Sequence, residues 1–177
     1  GVIIYPTDTL YGLGADALSD EAVEKIYQIK ARDLRKTMHA IVADMAMMEK
    51  YAEVSDMALA LAKEFLPGPL TLILKKREGV DAGIGRGINT IGIRIPNNPF
   101  CIALAKEFGK PITATSANLS GQKPERNTKA ILEQLHPGNS YASLLQKTSI
   151  RNIDLVVDAG ELPERQPSTV VDVSGHE

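Results

Sequence analysis

Residues 6–14 read PTDTLYGLG, a polar stretch that directly follows the apolar run of residues 2–5 (VIIY) and precedes an amphipathic segment beginning near Ser19. This order predicts a strand, a glycine-bearing loop and a helix. Open α/β sheets bind their ligands in loops at the carboxyl ends of strands. On this stretch alone two interpretations stay open: a binding loop, or a turn in which proline and glycine only mark the end of the strand.

The size and composition of the chain are those of a soluble globular protein. Its 177 residues are 44% hydrophobic and 24% charged, which is enough to bury a core within one domain. We therefore predict a single domain over residues 1–177. Because the sequence starts with Gly1 and not with Met, we also expect a chain that is trimmed at its ends. No run approaches the roughly 18 apolar residues of a membrane span, so we expect no membrane partner. The lone Cys101 excludes an internal disulfide and favours a cytoplasmic protein with a buried, inert thiol.

Basic residues are concentrated in two parts of a chain whose net charge is only −2. Five of them fall between residues 24 and 36, and a second group covers residues 75–77 and 86, followed by Arg94. Local positive patches on a near-neutral protein favour specific anionic ligands over bulk affinity for nucleic acid.

Hydrophobic periodicity predicts alternating helices and strands along the chain. The predicted helices span residues 19–31, 45–52, 55–66, 99–108 and 128–135. The predicted strands span residues 2–5, 38–43, 70–74, 90–95, 111–115, 153–157 and 168–173. Residues 77–88 and 137–150 are predicted to be irregular. Such alternation indicates an α/β domain (α+β in some schemes) built on one mixed sheet with flanking helices.

Three familiar site motifs are set aside. Residues 12–17 (GLGADA) fit the pattern G-x-G-x-x-A, but six residues separate Tyr5 from Gly12. The region about 20 residues further on is also basic, where a dinucleotide-binding fold needs an acidic residue. The chain has no G-x-x-x-x-G-K-[ST] phosphate loop, and its three histidines lack cysteine or carboxylate neighbours at metal-ligand spacing. We expect no metal site built from protein ligands.

Polar clusters follow two of the predicted elements. Lys30, Arg32 and Lys36 lie within seven residues at a helix-to-strand junction, and residues 115–121 (TSANLSG) follow a strand. Each cluster has a structural explanation, either a solvated loop or a chain of Ser/Thr turns. Together with Arg94, they suit a reaction at a nucleotide phosphate, where positioning and charge neutralisation supply most of the catalysis.

Six motifs occur in one order over almost the whole chain. They are YPTDTLYGLG (5–14), K-x-R at Lys30 with Lys36, PGPLTLIL (67–74), NTIGIRIP (89–96), TSANLSG (115–121) and STVVDV (168–173). In this combination they resemble the YrdC/YciO family, whose best-known members are threonylcarbamoyl-AMP synthases. The resemblance implies an α/β fold in which a twisted sheet surrounds a concave, positively charged cavity.

The resemblance also implies an enzyme of the nucleotidyltransferase class. Such an enzyme makes threonylcarbamoyl-adenylate and pyrophosphate from ATP, L-threonine and bicarbonate. Mg²⁺ is expected to accompany the triphosphate rather than to occupy a cage of protein ligands. A downstream threonylcarbamoyl-transferase complex then modifies tRNA to threonylcarbamoyladenosine, so binding of tRNA or double-stranded RNA is a further expectation.

The resemblance implies functional roles for ten residues of this chain. The expected ATP contacts are Lys30, Arg32, Lys36, Thr90, Ser116 and Asn118. Of these, Lys30 and Arg32 are also expected to act in catalysis by neutralising charge at the phosphates. The expected threonine contacts are Thr9, Arg94, Ala114 and Ser168. Arg94 suits a substrate carboxylate because guanidinium groups form bidentate pairs with carboxylates.

Two positions depart from the pattern of the synthases. After residues 30–36, which we call the basic loop, the synthases usually have a histidine at the position of Ile41. His39 lies two residues before it on the same strand face. The usual glutamate before Ser-Thr is Pro167 in this chain. These departures keep open a YciO-like paralogue that binds a nucleotide and uses another acceptor or hydrolyses a related bond. The second alternative is a non-enzymatic RNA-binding module that uses the basic concavity. The second has little support, because the chain has no Trp and only 5% aromatic residues for stacking on single strands.

Overall fold

The computed structural model of the chain describes residues 1–34, 36–136 and 152–175. Over these residues the α-helices are α1 (Asp20–Lys30), α2 (Met45–Tyr51), α3 (Asp56–Phe65), α4 (Pro99–Phe108) and α5 (Thr128–Leu135). The strands are β1 (Ile3–Pro6), β2 (Tyr11–Gly14), β3 (His39–Ile41), β4 (Ala52–Glu53), β5 (Leu70–Lys76), β6 (Thr90–Arg94), β7 (Ile112–Thr113), β8 (Thr115–Ser116), β9 (Leu155–Val156) and β10 (Thr169–Asp172). A 3₁₀ turn covers Gly83–Gly85 within the predicted loop.

The five predicted helices are confirmed to within one residue at each end. Each follows a residue whose side chain accepts a hydrogen bond from a first-turn amide, and such caps satisfy otherwise unpaired donors. These caps are Ser19, Asp44, Ser55, Asn98 and Asn127. No helix in the described part of the chain is long and apolar enough to cross a membrane. The predicted irregular segment 137–150 lies outside the described residues.

The strands form two mixed sheets, so the prediction of one sheet is wrong. The first sheet has the order β8-β2-β1-β9, and the second has the order β10-β5-β6-β3-β7, with β4 beside β5. The chain changes sheet within residues 111–115, which were predicted as one strand. β7 pairs with β3 in the second sheet, whereas β8 pairs with β2 in the first. The α/β class is confirmed, and the two sheets share one continuous segment.

The stretch 6–14 is a β-hairpin rather than a strand followed by a long loop. Only residues 7–10 form the loop, and β2 returns antiparallel to β1 with Tyr5 opposite Gly12. The glycines allow the Tyr5 ring to lie against β2. A Cβ atom on Gly14 would be 2.7 Å from Tyr5 Cε1, and one on Gly12 would be 3.2 Å from the same atom. The two glycines therefore serve close packing and not a turn.

Thr113 joins the two sheets where the chain passes between them. Its hydroxyl accepts from the Ala15 amide at 2.9 Å and donates to the Leu13 carbonyl at 3.0 Å. Its own carbonyl accepts from the Tyr5 hydroxyl at 3.0 Å. Burial raises the pKa of Tyr5, so the phenol keeps its proton and remains a donor. These bonds fix β1 and β2 of the first sheet to β7 of the second.

The smaller of two apolar clusters packs around Tyr5 and includes Ile41, Cys101 and Ile112. Cys101 is fully buried, and its thiol donates to the Pro6 carbonyl at 3.3 Å. Burial raises the pKa of Cys101 to about 12, so the group is a thiol and not a nucleophilic thiolate at neutral pH. The prediction of a buried cysteine is confirmed.

Replacement of Gly14 by alanine tests the packing of the Tyr5 ring. We expect Gly14→Ala to lower the free energy of unfolding by about 1–3 kcal/mol, because the new methyl group overlaps a ring whose hydroxyl is already hydrogen-bonded. Gly175→Ala is the control, since no heavy atom lies within 4 Å of its added Cβ. Urea denaturation of both variants measures the difference. Equal stability of the two variants would contradict the packing described for Tyr5.

Candidate active site

A cavity of about 250 Å³ opens where the two sheets meet. Residues from the loop 7–10, the segment 37–39, the end of β6, β8 and the segment 167–170 line it. Six of the predicted site residues are among them: Thr9, Arg32, Arg94, Ala114, Ser116 and Ser168. A second cleft of about 480 Å³ adjoins this cavity and shares Leu10, Pro124 and Pro167 with it.

Arg94 is held at the cavity wall by a buried ion pair with Asp8. Arg94 Nη2 donates to Asp8 Oδ1, and Arg94 Nη1 donates to Thr9 Oγ1 at 3.3 Å. The Asp8 carboxylate also accepts from the Asn97 amide at 3.1 Å, and the Arg94 and Asp8 side chains are 6% and 4% exposed. Asp8 therefore fixes the direction of the guanidinium. Asp8 is not among the predicted site residues, although it lies in the stretch 6–14.

Arg32 approaches the same cavity from the basic loop. Its Nη2 donates to the Thr37 carbonyl at 2.9 Å. The Nε atoms of Arg32 and Arg94 are buried, and neither has an acceptor in the described part of the chain. An unpaired buried donor costs about 1–3 kcal/mol. Incomplete hydrogen bonding of two guanidiniums at one cavity is typical of a site shaped for function, where local rules of stability are broken.

His39 brings an imidazole to the cavity at a position that the predicted site omitted. The ring lies over Gly92, where an added Cβ atom would be 2.4 Å from His39 Cδ2. Burial, followed by the nearby charges of Arg32 and Arg94, lowers the pKa of His39, so the ring is neutral at pH 7. Ile41 is fully buried in the smaller apolar cluster and does not line the cavity. His39 could have been predicted from the sequence, because side chains alternate along a strand and His39 therefore shares a face with Ile41.

Lys30 lies behind the cavity wall and is only 1% exposed. Its ammonium donates to the Ser116 carbonyl, to the Asn118 carbonyl at 2.9 Å and to Asn118 Oδ1 at 3.2 Å. Burial and the neighbouring Arg32 charge lower the pKa of Lys30 to about 7. Asn118 Nδ2 donates to the Leu119 and Gln122 carbonyls at 2.8 and 2.7 Å, which settles the orientation of the amide.

Four predicted site residues do not line the cavity: Lys30, Lys36, Thr90 and Asn118. The Lys36 side chain is exposed. Thr90 shares a face of β6 with Arg94, because side chains alternate along a strand. Gly92 lies between them, and the His39 ring covers it. The structure thus brings together the expected threonine contacts, but only Arg32 and Ser116 of the expected ATP contacts.

Residues 158–168 run along the rim of the cavity, and we call them the rim segment. The Tyr11 hydroxyl donates to the Gly160 carbonyl at 2.8 Å. Arg165 Nη1 donates to the Asp8 carbonyl at 2.9 Å, which attaches the rim segment to the loop 7–10. Ser168, at the end of the segment, lines the cavity. Thr7 and Thr37 also line it and were absent from the predicted site.

Curated proteins similar to this chain carry one functional name. The threonylcarbamoyl-AMP synthase of Idiomarina loihiensis is 38% identical over 139 residues, which cover 76% of this chain and 74% of that protein. The threonylcarbamoyl-AMP synthase of Pyrococcus abyssi is 33% identical over 174 residues, which cover 98% of this chain and 47% of that protein. The chain therefore spans about half the length of the archaeal synthase.

Solved structures agree with these relatives. The crystal structure of P. abyssi Sua5 complexed with L-threonine superposes with a TM-score of 0.82 at 33% identity, over 97% of this chain and 47% of that one. E. coli YciO superposes with a TM-score of 0.80 at 30% identity, over 99% of this chain and 79% of that one. The Sua5/YciO/YrdC family model, described as "Telomere recombination", matches residues 1–177. The chain belongs to the Sua5/YciO/YrdC family.

Proposed function

We propose that this chain is a threonylcarbamoyl-AMP synthase domain. The observation that carries the proposal is one cavity in which Arg94, oriented by Asp8, and Arg32 lie among hydroxyl groups. Such a cavity suits an amino acid and a nucleotide, which bring a carboxylate and phosphates. The family relatives support the choice, because they are named for this reaction and one Sua5 structure contains L-threonine.

Arg94, Thr9 and Ser168 form the proposed threonine site. Among the described residues, each Nη atom of Arg94 donates once, to Asp8 or to Thr9, and each carries a second hydrogen. Those two hydrogens are available to a substrate carboxylate. The hydroxyls of Thr9 and Ser168 line the same cavity and suit the hydroxyl and amine of threonine. Ala114 leaves room for the substrate because its side chain is a single methyl group.

Arg32 and Ser116 form the cavity side of the proposed ATP site, which continues into the adjoining cleft. Thr90 lies beyond His39 on the same sheet face, and Lys36 is solvent-exposed at the basic loop. No carboxylate of the described residues lines the cavity, whereas Glu125 and Glu164 line the adjoining cleft. Within the cavity, phosphate oxygens and water are therefore the proposed ligands of Mg²⁺. When bound, Mg²⁺ neutralises phosphate charge.

The chemistry joins a carbamate to the α-phosphate. Threonine and bicarbonate condense to N-carboxythreonine with loss of water. A carboxylate oxygen of this carbamate attacks the α-phosphorus, the bond to the β-phosphate oxygen breaks, and pyrophosphate leaves with the electron pair. Arg32 stabilises the charge that develops on the phosphate oxygens, a contribution that depends on a guanidinium already in place.

The product requires an acceptor, for which we propose a threonylcarbamoyl-transferase complex acting on tRNA. ATP, bicarbonate and a cytoplasmic setting belong to the same proposal. Contact with tRNA or double-stranded RNA would use the basic loop around Lys36, which is exposed beside the cavity.

Incubation with ATP, L-threonine, Mg²⁺ and ¹⁴C-bicarbonate tests the proposed reaction. We expect a labelled adenylate and pyrophosphate in equal amounts. Omission of threonine is the control, and it should abolish both products. A folded protein that binds ATP in calorimetry but neither binds threonine nor makes the adenylate would overturn the proposal in favour of a YciO-like activity with another acceptor.

Replacement of Ser116 by alanine tests the nucleotide side of the cavity. We expect Ser116→Ala to lower kcat/KM for ATP by about tenfold or more, because a hydrogen-bonding group at the ligand is lost. Ser120→Ala removes a hydroxyl from the same loop that does not line the cavity, so its kcat/KM should stay within about twofold of wild type. Equal losses in the two variants would show that Ser116 has no particular role.

The protonation of His39 provides a test by calorimetry. In the free protein, burial and then the charges of Arg32 and Arg94 lower its pKa below the ordinary value of about 6.5. A carboxylate bound beside Arg94 opposes those positive charges and raises the pKa of His39, so threonine binding at pH 6 should take up protons. Binding heats in two buffers of different ionisation enthalpy measure this uptake. His39→Asn should abolish it, and unchanged uptake would place the proton elsewhere.

A further inference from the structure

In its protonated form, Lys30 has no hydrogen left for a ligand, and its neutral form would carry no charge to offer a phosphate. A lysine ammonium carries three donors, and Lys30 has three acceptors: the Ser116 carbonyl, the Asn118 carbonyl and Asn118 Oδ1. With 1% of its surface exposed, the residue lies behind the wall of the cavity and not in it. A direct contact with a phosphate would require breaking at least one of these bonds.

The backbone of Lys30 also accepts a hydrogen bond from the segment that contains Ser116 and Asn118. The Ser120 amide donates to the Lys30 carbonyl at 2.8 Å. The end of α1 therefore contacts residues 116, 118 and 120, which we call the 116–120 loop. The Lys30 side chain makes three of these hydrogen bonds and its backbone carbonyl makes one. Lys30 and Ser116 are 86 positions apart in the sequence. Only Ser116 of the loop lines the cavity.

Lys30 also acts on the Ser116 hydroxyl through Asn118. Asn118 Oδ1 accepts from both Lys30 Nζ and Ser116 Oγ. Because Asn118 Nδ2 is committed to two carbonyls, Oδ1 is fixed as an acceptor and the Ser116 hydroxyl must donate to it. The hydroxyl of Ser116 thus has a defined direction, and because its one hydrogen is used in this bond, it can act towards a ligand only as an acceptor.

We infer that Lys30 is a positioning residue: it does not touch the substrates but holds the 116–120 loop so that Ser116 meets the nucleotide in one orientation. This inference rests on the proposed function for the identity of the ligand, but not for the contacts themselves. Arg32, two residues further on, then supplies the positive charge that faces the phosphates. The inference replaces the sequence-based expectation that Lys30 and Arg32 act together at the phosphates.

Amide hydrogen exchange in the free protein tests whether Lys30 restrains the 116–120 loop. We expect Lys30→Met to speed amide exchange in the 116–120 loop by about tenfold or more, since several hydrogen bonds are lost together. Lys30→Gln keeps two side-chain donors and should restore part of the protection; it also serves where Lys30→Met fails to fold. Lys25→Met removes a partly exposed lysine of the same helix, which pairs only with Glu21 among the described residues, and should leave the loop unchanged. Unchanged loop exchange in both Lys30 variants would overturn the inference.

A double-mutant cycle on ATP affinity separates positioning from direct contact. We expect Lys30→Met to weaken ATP binding by about tenfold in the wild-type background, but by no more than about twofold when Ser116 is already alanine. Lys30→Gln should recover part of the affinity, because hydrogen bonds and not charge hold the loop. An equal penalty in both backgrounds, without recovery by glutamine, would show that Lys30 contacts the phosphates. Absence of ATP binding in the wild type would refute the proposed function alone.

Discussion

The buried ion pair between Asp8 and Arg94 is the interaction on which the cavity depends. Asp8 belongs to the hairpin loop of the first sheet, and Arg94 ends a strand of the second. Removal of one partner from a buried pair costs about 3–5 kcal/mol, since the other charge is left without compensation. The pair therefore links the two sheets at the cavity and also fixes the direction of the Arg94 guanidinium. A replacement of Asp8 would have to compensate the Arg94 charge and also link the hairpin loop to β6.

A second link between the two sheets is the segment 112–116, which contributes a strand to each of them. Residues 112–116 contribute β7 and β8, and Thr113 bonds to both sides. The change of sheet places Ala114 and Ser116 at the cavity, with the Ala114 amide bonded to the His39 carbonyl at 2.7 Å. The proposed site residues Ala114 and Ser116 thus lie on a segment whose backbone is hydrogen-bonded to both sheets, which restricts their movement.

The helices could be predicted from the sequence because their signals are local. Caps such as Ser19 and Asn98 act within one turn, and apolar spacing within three or four residues. The division into two sheets could not be predicted, since pairing joins residues far apart. Lys30 illustrates the same limit within the site. Ala31 adopts a left-handed conformation (φ 47°) that ends α1. Consequently the Lys30 side chain lies against Ser116 and Asn118, whereas Arg32 lines the cavity. Their residue types were evident from the sequence, but their directions were not.

The contacts that build the cavity join distant parts of the chain. Asp8 and Arg94 are 86 residues apart, Lys30 and Ser116 are also 86 apart, and Tyr11 and Gly160 are 149 apart. Chain entropy must be lost over such separations before these contacts form, which slows folding. No single short segment of the described chain contains all the residues that line the cavity. During synthesis on the ribosome, the cavity therefore becomes complete only after the rim segment has emerged and folded onto the hairpin.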